Sequence, residues 1–330
     1  MKTVSIIVPC FNEQATIQQM LQAVYDQKFS RAEIEVIIAD GRSTDQTRQK
    51  ILEYQEIHPD LAIVVVDNKK RNIPAGLNTA LDVATGEFVI RLDGHSIPES
   101  DYVGKCVQCI KDGKGDNVGG AWEIHPRGNS WQAHSIALAA AHPLGVGDAH
   151  YRIGGKAQAV DTVPFGAFRR DYIVRLGKYN ESLLTNEDYE LNTRIRANGG
   201  IIWFDPVIRS VYLAAPTFQA LARQYFRYGF WKARMLRLYP KTIRWRQALP
   251  PIFVLSLLLL FLLGFLWQPF WLALILIGLC YSMILLVAGA LVAIKKKNFF
   301  FVLGVPFAIS TMHFAWGTSF LWSWITPNDK

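Results

Sequence analysis

The stretch Ile34-Glu-Val-Ile-Ile-Ala-Asp40 decides the fold, because a short apolar run that stops at an acid is typical of a buried strand. Similar runs lie on either side of it: Val4-Ser-Ile-Ile-Val8, Leu61 to Val66 and Phe88-Val-Ile-Arg-Leu92. Segments with helical spacing of apolar residues separate the runs, the first over Glu13–Tyr25 with Asn12 as its cap. This alternation predicts an α/β domain with a mainly parallel sheet.

Three successive predicted strands end in aspartate, at Asp40, Asp67 and Asp93. A single aspartate would mean little, since this residue commonly forms turns, but three in succession indicate a function. Ligands of open α/β sheets bind at the carboxyl ends of the strands, so the acids predict a crevice for a metal ion or a ribose. The sequence after the first strand, Pro9-Cys-Phe-Asn-Glu13, has neither the dinucleotide-binding nor the P-loop glycine pattern.

The segment Asp93-Gly-His95 places two potential metal ligands two residues apart. On an extended segment both side chains can face one ion. A carboxylate with an imidazole suits Mn²⁺ or a similar divalent ion better than Ca²⁺, which prefers oxygen ligands alone. Such an ion would neutralise a diphosphate.

A second acidic pair, Glu187 and Asp188, comes just before a helix-like run over residues 189–197. Carboxylates at this position can cap the helix and interact with its dipole. They can equally supply a general base that removes a proton from an acceptor hydroxyl. The spacing alone leaves both interpretations open.

The charge of the chain is unevenly distributed. The 330 residues carry a formal net charge of +8, yet residues 1–205 hold 22 Lys and Arg against 26 Asp and Glu. Residues 206–246 hold nine Lys and Arg and no acid. A basic belt next to an apolar tail argues against a nucleic-acid footprint and for an anionic membrane surface as the partner.

The tail predicts three transmembrane helices, near 251–267, 270–294 and 299–322, because Leu249 to Ile294 contains no charge and Gln268-Pro269 offers a turn. Basic residues precede the first helix and follow the second, at Lys295-Lys-Lys297. The positive-inside rule therefore predicts a cytoplasmic N-terminal part and an outer C-terminus in the plasma membrane. The expected divisions are a domain over 1–215, a basic amphipathic interfacial segment over 216–246 and a membrane domain over 247–330.

The ordered motifs Pro9-Cys-Phe-Asn-Glu13, Asp40-Gly-Arg-Ser-Thr-Asp45, Asp93-Gly-His95 and Asn186-Glu-Asp188 resemble those of family 2 glycosyltransferases. The resemblance covers about residues 1–235 and is strongest to the succinoglycan-type exopolysaccharide transferases. It implies the GT-A fold, with a Rossmann-like nucleotide-binding sheet. It also implies transfer of a sugar from a nucleotide donor, with inversion at the anomeric carbon.

The resemblance also implies roles for individual residues. Asp93 and His95 would bind a divalent metal ion, Mn²⁺ or Mg²⁺, on the donor diphosphate. Asp188 would be the catalytic base, with Glu187 beside it. The residues implied in nucleotide or donor binding are Pro9, Asn12, Glu13, Asp40, Asp67, Arg71 and Asp93.

The sequence Gln224-Tyr-Phe-Arg227-Tyr228 resembles the QxxRW motif of processive family members, with Tyr228 in place of tryptophan. This departure favours the addition of one sugar, to a lipid-linked saccharide acceptor. The same stretch also has the spacing of an interfacial amphipathic helix, so these residues could serve the donor and acceptor, the membrane, or both.

Together these features predict a membrane-bound inverting glycosyltransferase of exopolysaccharide or cell-envelope glycan synthesis, with UDP-sugar as the donor implied by the resemblance. The alternative is a membrane scaffold that binds a nucleotide sugar without catalysis. The intact acidic set at Asp40, Asp93 and Asp188 argues for the enzyme.

Overall fold

The computed structural model describes residues 2–326, which divide into two compact units. Unit 1 holds the residues up to Glu123 together with Gly154–Tyr212, and unit 2 holds Ile124–Ile153 together with the residues from Leu213 onward. Residues 327–330, at the expected outer C-terminus, lie outside the described residues.

The strands belong to one sheet. They are β1 (Val4–Cys10), β2 (Ile34–Asp40), β3 (Ala62–Asp67), β4 (Phe88–Arg91), β5 (Ile97–Pro98), β6 (Asn117–His125), β7 (Gln158–Ala159), β8 (Ala167–Arg169) and β9 (Ile202–Leu213).

The helices fall into a group that alternates with the early strands and a C-terminal group. They are α1 (Ile17–Tyr25), α2 (Thr47–Ile57), α3 (Ile73–Val83), α4 (Tyr102–Lys111), α5 (Trp131–Ala140), α6 (Pro143–Val146), α7 (His150–Ile153), α8 (Arg170–Arg175), α9 (Glu187–Ala197), α10 (Phe218–Leu238), α11 (Trp245–Gly264), α12 (Pro269–Lys296) and α13 (Phe301–Ile325).

The sheet is parallel in its first half and antiparallel in its second. Its order is β3-β2-β1-β4-β8-β6-β9-β5, with β7 also paired to β9. The neighbours β3, β2, β1 and β4 run parallel, which confirms the parallel arrangement predicted from the apolar runs. From β4 to β8 the pairing becomes antiparallel, as it also is between β6 and β8 and between β5 and β9.

The core of unit 1 lies where α1 packs on the parallel strands. Every residue of β2 is buried, and α1 buries Ile17, Met20, Leu21 and Val24 on one face. The helix begins at Ile17, so the predicted start at Glu13 with an Asn12 cap is wrong. Glu13 remains in the loop, where its backbone N–H donates to Thr47 Oγ1 at 2.8 Å.

Unit 2 is organised around α13, on which α5, α10, α11 and α12 pack. Small residues allow the close approach, as expected for helices that associate in lipid. A Cβ at Gly317 would lie 2.6 Å from the Pro250 carbonyl oxygen of α11, and one at Gly289 would lie 2.6 Å from the Val302 carbonyl oxygen. Gly304 packs in the same way against Ser135 of α5.

The three apolar segments predicted in the tail each form one continuous helix, α11, α12 and α13. Each is long and apolar enough to cross a membrane. The segment 124–153 joins them within unit 2, since Asp148 pairs with Arg246 at 2.6 Å and the Leu144 carbonyl oxygen lies 2.8 Å from His313 Nε2. No feature of the sequence predicted that residues 124–153 pack with the C-terminal helices.

The packing at Gly317 gives a stability prediction. Gly317→Ala should destabilise unit 2 by about 1–3 kcal/mol, because the added methyl group has no room against α11. Thermal unfolding of the purified protein in detergent measures the change. Gly278→Ala is the matched control, since a Cβ there meets no atom within 4 Å, and equal melting temperatures for both variants would contradict the packing.

Candidate active site

The ends of β1, β2 and β3 bring two predicted site residues together. Cys10 is in register with Asp40, and Asp40 with Asp67, so the two acids are neighbours across the sheet. Arg48 of α2 joins them: its Nε donates to Asp40 Oδ2 at 2.5 Å, and its Nη2 donates to Asp67. This cation stabilises two carboxylates that would otherwise repel each other, and it holds the pKa of Asp67 below its usual value.

Asp40 is completely buried, whereas the side chains of Arg48 and Asp67 are 45% and 46% exposed. Its carboxylate accepts hydrogen bonds from the backbone N–H of Ser43 at 3.1 Å and from the Ser43 hydroxyl at 2.5 Å. The Asp40 carboxylate is therefore hydrogen-bonded to Ser43 and Arg48, whereas Arg48 and Asp67 remain partly exposed at this edge.

The loop after β1 is tied to the loop after β2. Asn12 has a left-handed backbone with φ of 55°, its N–H donates to Ser43 Oγ at 2.9 Å, and its Oδ1 accepts from the Thr44 N–H at 2.8 Å. Pro9 lies in β1 and is only partly buried. The predicted nucleotide residues of the two loops are thus held next to each other.

Glu13 contacts the predicted metal ligand His95. Its Oε1 lies 2.9 Å from His95 Nδ1, and its Oε2 accepts from the Thr16 hydroxyl at 2.7 Å. Burial opposes ionisation of Glu13, but the hydrogen bond and charge of His95 lower its pKa below the usual value. A Cβ at Gly94 would lie 3.0 Å from Glu13 Cγ, so glycine is the residue that fits between the two.

Arg91 links Asp93 to the second acidic pair. This side chain is only 7% exposed, and its guanidinium lies 3.2 Å from Asp93 Oδ1 and 2.9 Å from Glu187 Oε1. Burial alone would lower the pKa of Arg91, but the charges of Asp93 and Glu187 raise it well above its ordinary value. The last residue of β4 therefore connects the segment after that strand to the start of α9.

Glu187 and Asp188 occupy the first turn of α9, after Asn186 in a left-handed conformation. The Glu187 carboxylate contacts Arg91, and Asp188 Oδ1 accepts the Tyr189 backbone N–H at 2.7 Å. Burial raises the pKa of Glu187 to about 7, against the effect of Arg91, and it also raises the pKa of Asp188. Burial thus makes both carboxylates stronger bases than exposed ones.

Further contacts fix the position of α9. Glu190 is buried and pairs with Arg194 at 2.7 Å, and Arg194 also donates to the carbonyl oxygens of Leu176 and Lys178. The neighbouring Tyr179 is buried, and its hydroxyl has no hydrogen-bond partner among residues 2–326. The turn before Tyr179 is therefore bound to the helix that carries the acidic pair.

Four other predicted residues lie apart from these contacts. Arg71 has a left-handed backbone with φ of 55° and an exposed side chain in unit 1. Gln224, Arg227 and Tyr228 lie on α10 of unit 2, where Gln224 Nε2 donates to the Tyr228 hydroxyl at 2.8 Å and Arg227 is exposed.

The donor set at Asp93 and His95 fits a metal ion that shares its ligands with a substrate. Mg²⁺ and similar ions are commonly bound by one or two protein groups together with substrate phosphates. A histidine that binds a metal usually donates its other ring N–H to a carboxylate, and Glu13 supplies such a carboxylate. Within the described residues, no group of three or more His, Cys, Asp or Glu side chains could hold an ion by itself.

Comparison with known proteins identifies the family. The profile described as glycosyl transferase family 2 matches residues 5–177, slightly more than half of the chain. The chain belongs to this family. The predicted resemblance and the GT-A type of α/β fold are thereby confirmed.

Similar proteins of this family act in glycan synthesis. The succinoglycan biosynthesis protein ExoA of Rhizobium meliloti is 28% identical over 321 residues, which are 96% of this chain and 93% of the relative. A dolichyl N-acetyl-alpha-D-glucosaminyl phosphate 3-beta-D-2,3-diacetamido-2,3-dideoxy-beta-D-glucuronosyltransferase of Methanococcus voltae is 26% identical over 249 residues, 74% of this chain and 77% of the relative.

Among solved structures, the fold resembles a mannosyltransferase from Pyrobaculum calidifontis in complex with GDP-Man and Mn²⁺. The TM-score is 0.64 at 22% sequence identity, and the match covers 97% of this chain and 87% of the other. At this level of identity the likeness concerns the fold.

Sequence reasoning on this family 2 chain missed the cations of the site. Arg48 and Arg91 each contact two predicted site acids, and neither was assigned a role. A signal was present for Arg91, because a charged residue inside an otherwise apolar strand must be paired if the strand is buried. Arg48 lies on an ordinary helix face and gave no comparable signal.

The buried ion pairs predict a large loss of stability in Arg91→Met. This change leaves Glu187 and Asp93 without their counter-charge and should cost about 3–5 kcal/mol. Thermal unfolding in detergent measures the loss. The double variant Arg91→Met/Glu187→Met should recover part of it, and a double variant as unstable as the sum of its single changes would show that the two side chains do not interact.

Proposed function

We propose that this family 2 enzyme is a membrane-bound inverting glycosyltransferase that moves one sugar from a nucleotide-diphosphate donor to a hydroxyl of a lipid-linked acceptor. The observation that carries the proposal is the Arg91 cluster, because it joins the predicted metal ligand Asp93 to the predicted catalytic pair. Groups that would serve the leaving diphosphate and the attacking hydroxyl thus lie around one buried cation.

The nucleotide would bind at the edge where β2 and β3 end. Arg48 and Asp67 are partly exposed there, and the buried Asp40 positions Arg48 through the hydrogen bond at 2.5 Å. Pro9, Asn12 and Arg71 would complete the nucleotide contacts. UDP is the donor nucleotide we propose, and because the similar mannosyltransferase is described with GDP-Man, donor competition is part of the test.

The metal ion would be held by Asp93 and His95 together with the diphosphate. Glu13 would orient the imidazole through Nδ1, and Arg91 would orient the carboxylate. When bound, Mn²⁺ or Mg²⁺ supplies positive charge to the departing diphosphate. Arg91 adds a fixed positive charge close to the same place without changing its protonation state.

Asp188 would accept the proton of the acceptor hydroxyl as it attacks the anomeric carbon. Its raised pKa increases its strength as a base compared with an exposed aspartate. Glu187 is the worse candidate, because its carboxylate lies 2.9 Å from the Arg91 guanidinium. Glu187 would therefore hold Arg91 and the start of α9 in place, while Asp188 takes part in the proton transfer.

The membrane would supply the acceptor. The exposed basic residues between 206 and 246, such as Arg223, Arg227 and Lys241, and those at Lys295–Lys297 would face anionic headgroups on the cytoplasmic side, each adding about 1 kcal/mol of attraction. The relative named for transfer to a dolichyl phosphate sugar supports a lipid-linked saccharide as the acceptor class, and the one named for succinoglycan biosynthesis supports a role in polysaccharide synthesis. The enzyme would therefore act in exopolysaccharide or cell-envelope glycan synthesis.

Shared metal ligands predict that metal and nucleotide bind together. Mn²⁺ alone should bind weakly, and addition of UDP should strengthen its binding by tenfold or more, that is by about 1.4 kcal/mol. Electron paramagnetic resonance of free Mn²⁺ measures this directly. Asp93→Ala should abolish the strengthening, whereas Asp171→Ala, at an exposed acid, should preserve it. Equal Mn²⁺ affinity with and without UDP would contradict the shared site.

The proton-accepting role of Asp188 predicts a selective loss of turnover. Asp188→Asn should reduce kcat by about 10²–10⁴-fold, because the amide cannot accept the proton, while binding of the donor with Mn²⁺ persists. Asp171→Asn is the control for removing an acid from the surface of unit 1. Turnover by Asp188→Asn near the level of the unchanged protein would remove Asp188 from the mechanism.

The activity itself is tested with purified membranes, Mn²⁺ and a panel of nucleotide sugars. Release of a nucleoside diphosphate in the presence of a lipid-linked acceptor, and a product of opposite anomeric configuration to the donor, are expected. Binding of a nucleotide sugar without any release across many acceptors would instead favour the scaffold interpretation.

A further inference from the structure

The helices α11 and α12 form a hairpin. The rings of Phe253 and Tyr281 stack at 4.6 Å, and farther along the pair Phe261 and Trp271 meet at 5.2 Å, so the two helices run antiparallel. The start of α11 and the end of α12 therefore lie on one side of the membrane, which we call the near side. The turn around Gln268 lies on the far side.

Helix α13 starts on the near side. Four residues, 297–300, separate it from the end of α12. Its first turns pack against the last part of α12, where Gly289 approaches the Val302 carbonyl oxygen and Pro306.

Helix α13 also passes α11 close to the near side. Trp316 Nε1 donates to the Gln247 carbonyl oxygen at 3.1 Å, and Gly317 packs on Pro250, in the first two turns of α11. Only eight residues of α13 follow Gly317, a length of about 12 Å. From Pro250, α11 needs 14 further residues, about 21 Å, to reach its own far end at Gly264.

The end of α13 is fixed by α10, which runs beside it in the same direction. Phe218 and Phe307 meet at 4.6 Å near the start of this contact. At its end, Arg237 donates to the Ser323 carbonyl oxygen and lies 5.3 Å from the ring of Trp324. The two helices therefore end together.

The end of α10 must lie on the near side. Six residues, 239–244, connect it to α11, and a 3₁₀ turn at Pro240–Thr242 shortens them. Even fully extended they would reach about 25 Å, less than the hydrocarbon core of about 30 Å. They also contain Lys241 and Arg244, which would be costly to place in that core.

We infer that α13 does not cross the membrane but lies along its near surface together with α10. Both of its ends are on the side where α11 begins, so the chain has two spans and a C-terminus on the near side. With the orientation proposed above, that side is cytoplasmic. The lipid bilayer is the partner of its exposed apolar face, which includes Leu303, Phe307, Phe314 and Trp322.

The burial of α11, α12 and α13 agrees with a position of α13 at the membrane surface. Buried residues make up 44% of the most apolar stretch of α13, against 17% for α11 and 6% for α12. Helix α10, which follows α13 along its length, carries five Lys and Arg residues. Lys232 of α10 is buried, but Arg223 and Arg227 are exposed, and exposed basic side chains on such a helix pair are typical of a membrane surface, where they reach the headgroups.

Cysteine accessibility tests the inference. Three single variants, Gln268→Cys, Lys296→Cys and Thr326→Cys, are treated with a membrane-impermeant maleimide before and after permeabilisation of the cells. We expect Thr326→Cys to label in the same condition as Lys296→Cys, and Gln268→Cys to label in the opposite one. The unchanged chain gives the background from its own cysteines, of which Cys10 and Cys106 are buried. Labelling of Thr326→Cys together with Gln268→Cys would overturn the inference.

An epitope appended after Lys330 gives a second measurement that changes no residue of the helices. Antibody staining should require permeabilisation whenever labelling of Lys296→Cys does. Staining in the same condition as labelling of Gln268→Cys would show instead that α13 crosses the membrane as a third span. Neither outcome affects the release of nucleoside diphosphate, so the topology and the proposed activity are tested independently.

Discussion

The buried guanidinium of Arg91 is the interaction on which unit 1 depends. A cation that is 7% exposed is strongly destabilising unless carboxylates compensate it, and the two that do so come from different parts of the chain. Asp93 lies two residues after the end of β4, whereas Glu187 lies 94 residues after Asp93, at the start of α9. The acidic cluster therefore forms only where β4 and the start of α9 meet, and its ion pairs explain why charged groups are tolerated beside an apolar core.

The same principle operates at the edge where β2 and β3 end. Asp40 and Asp67 are neighbours across two parallel strands, and like charges at such a distance repel unless a cation lies between them. Arg48 is that cation, and Asp40 is consequently a buried support for Arg48 more than an exposed ligand group. Each group of acids at the strand ends is thus paired with its own arginine, Arg48 at one and Arg91 at the other.

The parts that could be predicted from the sequence are those that depend on local pattern. Apolar runs ending in Asp predict parallel strands and the adjacency of Asp40 and Asp67, because strand ends meet at one edge. Contacts such as Glu13 with His95 could not be predicted, since 82 residues separate them and only the register of the sheet brings them together. The start of α1 was placed too early for a related reason: Glu13 has helical spacing but is held in the loop by Thr47 and His95.

The apolar tail shows why composition does not determine topology. Hydropathy measures how apolar a segment is, and by this measure α11, α12 and α13 are each apolar enough to cross a membrane. It does not record where the ends of a segment are held, and for α13 they are held by a four-residue connection to α12 and by contacts with α10. A helix whose neighbours on two faces are α5 and α10 also needs apolar residues for those contacts, so part of its hydrophobicity serves the protein interior. Where connecting segments are shorter than the membrane is thick, their length constrains the topology more strongly than the apolar character of the helices they join.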